Sequence, residues 1–135
     1  MNKFFVFDTN ILLSALFDET SVPAKALKRA RLQAVLLISE SVKFEYRQVF
    51  LRTKFDKYIS LRTRIEFIEN IIANSFPVNI TEEISECRDP KDDKWLSLAV
   101  SAKADCIITG DQDLLILHPF RNIPILSAVD FLNKF

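Results

Sequence analysis

Apolar residues along the chain follow two rhythms. Short, nearly unbroken runs occur at Lys3-Phe4-Phe5-Val6-Phe7, Ala34 to Ser39, Cys106 to Thr109 and Ile123 to Leu126. Runs of this length, bounded by polar or turn positions, predict buried strands. The longer amphipathic stretches between them predict helices. These cover Ile11 to Phe17 with Asn10 as cap, Ser21 and Pro23 to about Leu32, Glu40 to about Arg52, and Ser60 to Asn74. Further helices are predicted from about Pro90 to Lys103, briefly after Asp111, and at the end behind a Ser127 cap. Leu61, Ile65, Ile68 and Ile72 make one stripe of the fourth helix. Phe76, Val78 and Ile80 alternate with polar or proline positions, the pattern of an edge strand that tolerates Pro77.

Strand and helix alternate throughout, which predicts an α/β domain with a parallel sheet covered on both faces. Right-handed crossovers then bring every strand's C-terminal end to one edge, where open sheets of this kind keep their sites. The 135 residues, 49% of them hydrophobic, suit a single domain over 1–135 that buries roughly two thirds of its unfolded surface.

Charge narrows the function only a little. Eighteen basic side chains balance eighteen acidic ones, so bulk electrostatics give no nucleic-acid signature and any such partner needs a local patch. A single glycine, Gly110, excludes both nucleotide loops rich in that residue. The lone histidine, His118, has no nucleophile near it in sequence and precedes Pro119, so a catalytic histidine is not expected. Cys87 and Cys106 fit neither a disulfide framework nor a zinc set. With no cleavable leader pattern and no uncharged run approaching the ~20 residues of a membrane span, a soluble cytoplasmic protein is expected.

Four acids stand out, although each also has a structural reading, and for Asp111 a cap on the following helix is as good a reading as a metal ligand. Asp8 ends the first strand with Asn10 better placed to cap the next helix, and Asp111 follows the strand Cys106 to Thr109 and Gly110. Glu45 falls at the margin of the stripe Val42, Tyr46, Val49 and Phe50, where an ionised carboxylate needs a partner or a metal; Glu40 points the other way. In Asp89-Pro90-Lys91-Asp92-Asp93, Asp89 as cap, Pro90 at the first position and Asp92 at the third make a capping arrangement. That leaves Asp93 as the preferred ligand, although helical angles turn both Asp92 and Asp93 toward Leu96 and Val100. Thr9, Asn10 and Thr109 could orient ligands or water, although turn and capping roles suit each of them better, and Asp113 is a first-turn acid that could approach a second metal. Four carboxylates about 6 Å apart would repel by roughly 3 kcal/mol per pair at an effective dielectric of 20. Six such pairs rival the ~5 to 15 kcal/mol stability of a domain. Protonation or a divalent cation must relieve them, and an all-oxygen set favours Mg²⁺ or Mn²⁺ over zinc.

The chain resembles the PIN-domain family, and within it the toxin components of bacterial toxin–antitoxin systems. The likeness rests on Phe7-Asp8-Thr9-Asn10, Glu45 in the helix after strand two, Asp89-Pro90-Lys91-Asp92-Asp93 followed by Trp95-Leu96 and Ala99, and Thr109-Gly110-Asp111. It spans essentially the whole length. The resemblance implies a three-layer α/β/α sandwich around a parallel sheet of order 3-2-1-4-5 and a metal-dependent endoribonuclease. It also implies Asp8, Glu45, Asp93 and Asp111 as the catalytic, metal-binding quartet, with Asp113 as helper. Implied partners are an RNA substrate and a cognate antitoxin, and twelve phenylalanines leave room for a homodimer face. For RNA, the cations Lys43, Arg47, Arg52, Lys54, Lys57, Arg62 and Arg64, with Phe55 and Tyr58 among them, could combine phosphate contacts with stacking, a solvated helix-loop-helix being the equal alternative. Lys25, Lys28, Arg29 and Arg31 add a second basic stretch. Two competing readings are a catalytically silent PIN-like module binding RNA or protein, and phosphoryl transfer to Asp8.

Overall fold

A computed structural model describes residues 2–135. Five strands, β1 (Lys3–Phe7), β2 (Ala34–Ile38), β3 (Phe76–Pro77), β4 (Cys106–Ile108) and β5 (Ile125–Leu126), form one sheet of order β3-β2-β1-β4-β5. Every pairing is parallel, with Phe4 opposite Val35, Val6 opposite Ile107 and Ile107 opposite Ile125. Seven helices join them: α1 (Thr9–Phe17), α2 (Val22–Gln33), α3 (Glu40–Phe50), α4 (Leu61–Ala73), α5 (Asp93–Ala102), α6 (Gln112–Leu115) and α7 (Ala128–Lys134). The expected α/β/α architecture is the one observed.

Side-chain alternation on β1 sets the layers. Phe5 and Phe7 meet Phe131 of α7 edge-on, at ring separations of 5.1 and 6.3 Å, and Phe5 also meets Phe135 at 5.2 Å. Val6 turns to the opposite face, and α5 packs across β1, β2 and β4. Both faces of the central strands are thereby removed from water, which is why β1, β2 and β4 read as continuous apolar runs. Serine hydroxyls cap α2, α3, α4 and α7 through Ser21, Ser39, Ser60 and Ser127.

Several local expectations need correction. Asp8, not Asn10, occupies the cap position of α1, and its side chain makes no capping bond because it is used elsewhere. The helix predicted from Pro90 begins as a 3-10 turn, Pro90–Asp92, before α5 proper. The edge strands are shorter than the alternation suggested: β3 holds two residues and β5 starts at Ile125. On α4 the buried stripe is Arg64, Ile68 and Ile71, while Leu61 and Ile65 lie exposed. Arg64 takes the inward position because the Phe50, Arg52 and Ile59 carbonyls accept its guanidinium and Asp56 pairs with it.

Candidate active site

The strand order reverses between β1 and β4, and the two segments leaving those strands carry Asp8 and Asp111. Asp8 follows β1 with its amide bonded to the Ile108 carbonyl at 2.9 Å. Its carboxylate is buried, and the buried Thr109 hydroxyl donates to Oδ2 at 2.6 Å. The same Thr109 oxygen accepts the Asp111 amide at 3.0 Å, so one hydroxyl ties the two strand ends together. Asp111 caps the short helix α6 by accepting the Asp113 amide at 2.9 Å. Carboxylate oxygens of Asp92, Asp111 and Asp113 all lie within 4.8 Å of one another.

Of the doubled pair, Asp92 faces this cluster. Asp89 Oδ1 and the Asp89 carbonyl accept the Lys91 and Asp92 amides at 3.0 and 2.9 Å, so Asp89 alone caps the 3-10 turn. Asp92 has no capping duty and its side chain turns to Asp111. Asp93, preferred from the sequence, accepts the Cys87 amide at 2.9 Å and pins the preceding loop instead.

Glu45 is held from two sides. Thr9 donates to Oε2 at 2.5 Å and the Lys94 ammonium to Oε1 at 2.6 Å. Next along α3, the buried Tyr46 hydroxyl donates to the Phe7 carbonyl at 2.6 Å, fixing the end of β1 beside Asp8. Burial and then the charges of Asp8 and Glu45 raise the Tyr46 phenol well above its ordinary value, so it stays a donor.

The electrostatics match the crowding. Burial pushes the Asp8 carboxyl up to about 6, against the stabilising Thr109 bond and with the charges of Glu45 and Asp111 adding to the rise. Asp92 is pushed up to about 7, first by burial, then by a hydrogen bond with Asp111 and the Asp111 charge, with Asp8 and Asp89 contributing. Both acids ask for positive charge, and the Lys94 ammonium is committed to Glu45. An all-oxygen set that holds protons near neutrality suits a hard divalent cation.

The family model for the PIN domain matches residues 5–113, a segment that contains Asp8, Glu45, Asp92, Asp111 and Asp113. The chain belongs to the PIN-domain family. This PIN domain is 33% identical over 115 residues to an uncharacterized protein of Methanocaldococcus jannaschii, covering 84% of this chain and 74% of that protein. Its fold is similar to a chain in the crystal structure of VapBC2 from Rickettsia felis bound to a DNA fragment from their promoter. There the TM-score is 0.61 at 14% identity, over 92% of this chain and 98% of that one.

The remaining sequence candidates do not gather at this site. Asn10 is exposed on the first turn of α1. Among the seven cations singled out for RNA, Arg64 is fully buried. Lys43 pairs with Glu40, Arg47 with Glu69 and Arg62 with Glu66. Lys54 and Lys57 sit over Phe55 and Tyr58, whose rings pack on Phe17. That cluster lies at the far end of α1, about 12 Å from Thr9 at 1.5 Å per residue. Only Arg52 lines the groove beside Glu45, together with Lys91 and Lys94, which the sequence reading passed over. A signal was present. Two lysines within or next to the first turn of α5 oppose the helix dipole, which favours acids there. His118 has a structural task, its Nδ1 accepting the Ile125 amide at 2.9 Å.

Proposed function

We propose that this PIN domain is a metal-dependent endoribonuclease that hydrolyses RNA phosphodiesters in the cytoplasm and serves as the toxin of a toxin–antitoxin pair. The observation that carries the reading is the convergence of Asp8, Asp92 and Asp111, with Glu45 beside them, at the sheet edge where the strand order reverses. Asp8, Asp92 and Asp111 are the side chains that would hold Mg²⁺ or Mn²⁺, with Asp113 as an auxiliary oxygen donor. A divalent ion bound there supplies a Lewis acid for the phosphate and a water of lowered pKa. Thr109 fixes the Asp8 carboxylate and the Asp111 backbone together. Thr9 and Lys94 fix Glu45, whose oxygens keep further lone pairs to orient a water. Asp93 acts through the Cys87 loop and not on the reacting atoms.

The likeness to a VapBC2 chain supports a cognate antitoxin as protein partner, and exposed Phe17, Leu32 and Leu61 supply apolar surface for it or for a second copy. One variant series tests the whole reading. With Mg²⁺ or Mn²⁺ the purified protein cleaves single-stranded RNA. Asp8→Asn and Asp92→Asn each lose more than the roughly 10- to 100-fold expected for a group that merely orients a ligand, whereas Asp93→Asn stays within that range. Expressed in cells, the wild type arrests growth and Asp8→Asn does not. A wild-type protein that leaves RNA intact with either ion, or an Asp8→Asn variant that cleaves at full rate, refutes it.

A further inference from the structure

Beside Glu45 a groove of about 710 Å³ runs between α3 and the start of α5. One wall is the outward side of α3, with Ser41, Phe44 and Gln48 continued by Arg52 beyond the helix end; the other carries Lys91 and Lys94. Phe44 is 64% exposed. It lies about 160° around α3 from the buried Val42, at 100° per residue, so an aromatic ring stands on the polar side of its helix with no core to join. Among the described residues neither Arg52 nor Lys91 has an ion-pair partner. The acids of the groove are already engaged, Glu40 by Lys43 and Glu45 by Lys94.

We propose that this groove is a subsite for one unpaired nucleotide of the substrate strand, its base stacked on Phe44 and its flanking phosphates held by Arg52 and Lys91. The inference rests on the nuclease reading above and deepens it. A flat ring flanked by free cations answers the two features every nucleotide shares, a π face and an anionic backbone. The apolar content is one ring, not the contiguous patch that forms a protein interface core. The volume suits a single small ligand group. Because bases in a duplex are stacked on each other, only an unstacked base can use Phe44, so the subsite selects single-stranded or looped segments. Its shared wall at Glu45 places that nucleotide next to the acids, and Lys94, bridging groove and Glu45, is the hinge between binding and chemistry.

The test uses the full chain carrying Asp8→Asn, which binds without cleaving, and fluorescein-labelled single-stranded and duplex RNA followed by anisotropy. Adding Phe44→Leu weakens single-strand binding by roughly 5- to 150-fold, the effect of one lost stacking contact. Duplex binding and the melting temperature do not change, and Phe44→Trp restores affinity. Equal affinity with and without Phe44→Leu, equal losses for both RNA forms, or a parent that binds neither form overturns the subsite. Unchanged RNA affinity would give Phe44 to a protein contact instead. Cleavage by the wild type is scored separately. Cleavage with Phe44-independent binding sinks the subsite alone, and Phe44-dependent binding without cleavage sinks the nuclease reading alone.

Discussion

At the scale of single residues, Asp8 and Asp92 are held in a state that folding alone does not favour. Unperturbed, both would be ionised above about pH 4; in the fold they keep protons up to about 6 and about 7. Between those limits the folded chain binds protons that the unfolded chain has released. Stability therefore falls as pH rises from about 4 to 7 and returns as pH is lowered through the same window. For the buried Asp8 the two-unit rise corresponds to a few kcal/mol. Calorimetry without divalent ions should show a melting temperature that drops from pH 5 to 7.5. Asp8→Asn should flatten the slope, as should saturating Mn²⁺. A melting temperature that climbs over this range would contradict the assignment. The same crowding explains why Thr109 is buried with its hydroxyl on Asp8: a hydrogen bond to a charged acceptor, of order 1.5 to 3 kcal/mol, opposes part of the desolvation.

At the scale of elements, what could be read from sequence was what depends on local periodicity. Val42, Tyr46, Val49 and Phe50 form the buried stripe of α3 as predicted, because a regular helix fixes those angles and the core simply accepts them. The α4 stripe slipped because Arg64 fills an inward position that polarity would assign to water. Its place is decided by carbonyls of Phe50, Arg52 and Ile59, 5 to 14 residues away, which no helical wheel contains. The preference for Asp93 missed which of the doubled acids faces Asp111 for a related reason. The segment is a 3-10 turn, and its tighter winding of three residues per turn sends consecutive side chains elsewhere than an α-helix does. Asp8, Glu45 and Asp111 were legible because strand ends and a helix margin are positions that topology alone brings together. Arg64 also yields a prediction. Replacing it with Leu leaves the Phe50 and Ile59 carbonyls without a donor and takes one of two donors from the Arg52 carbonyl, which keeps the Phe55 amide, a loss of about 3 kcal/mol or more. Limited proteolysis of Arg64→Leu should cut first between Leu51 and Ser60, while Arg62→Leu, which removes an exposed pair with Glu66, should match the wild type.

At the scale of the whole molecule, a chain with no net charge has to attract an anionic polymer through geometry. Many of its cations are committed to neighbouring acids or aromatic rings, Lys94 of the groove among them, whereas Arg52 and Lys91 line the groove with no acid paired to them. Affinity for single-stranded RNA should accordingly depend modestly on salt. Two phosphate contacts give a log–log slope of about −1.4, and Lys91→Gln should reduce its magnitude by about 0.7. A slope several times steeper, found by titrating KCl, would mean that the strand tracks a much broader surface. No helix of the described residues is long and apolar enough to cross a membrane, and the sheet's apolar faces are covered by the protein's own helices. Trp95 stands at the centre of this arrangement. It is the only tryptophan, it is 1% exposed, and its ring lies 6.0 Å from that of Tyr46 in the turn just past Asp92. The PIN domain thus carries a built-in optical reporter: a single indole, shielded from solvent and seated beside the acidic cluster, whose emission should follow unfolding and would register a cation added at those acids without a dye.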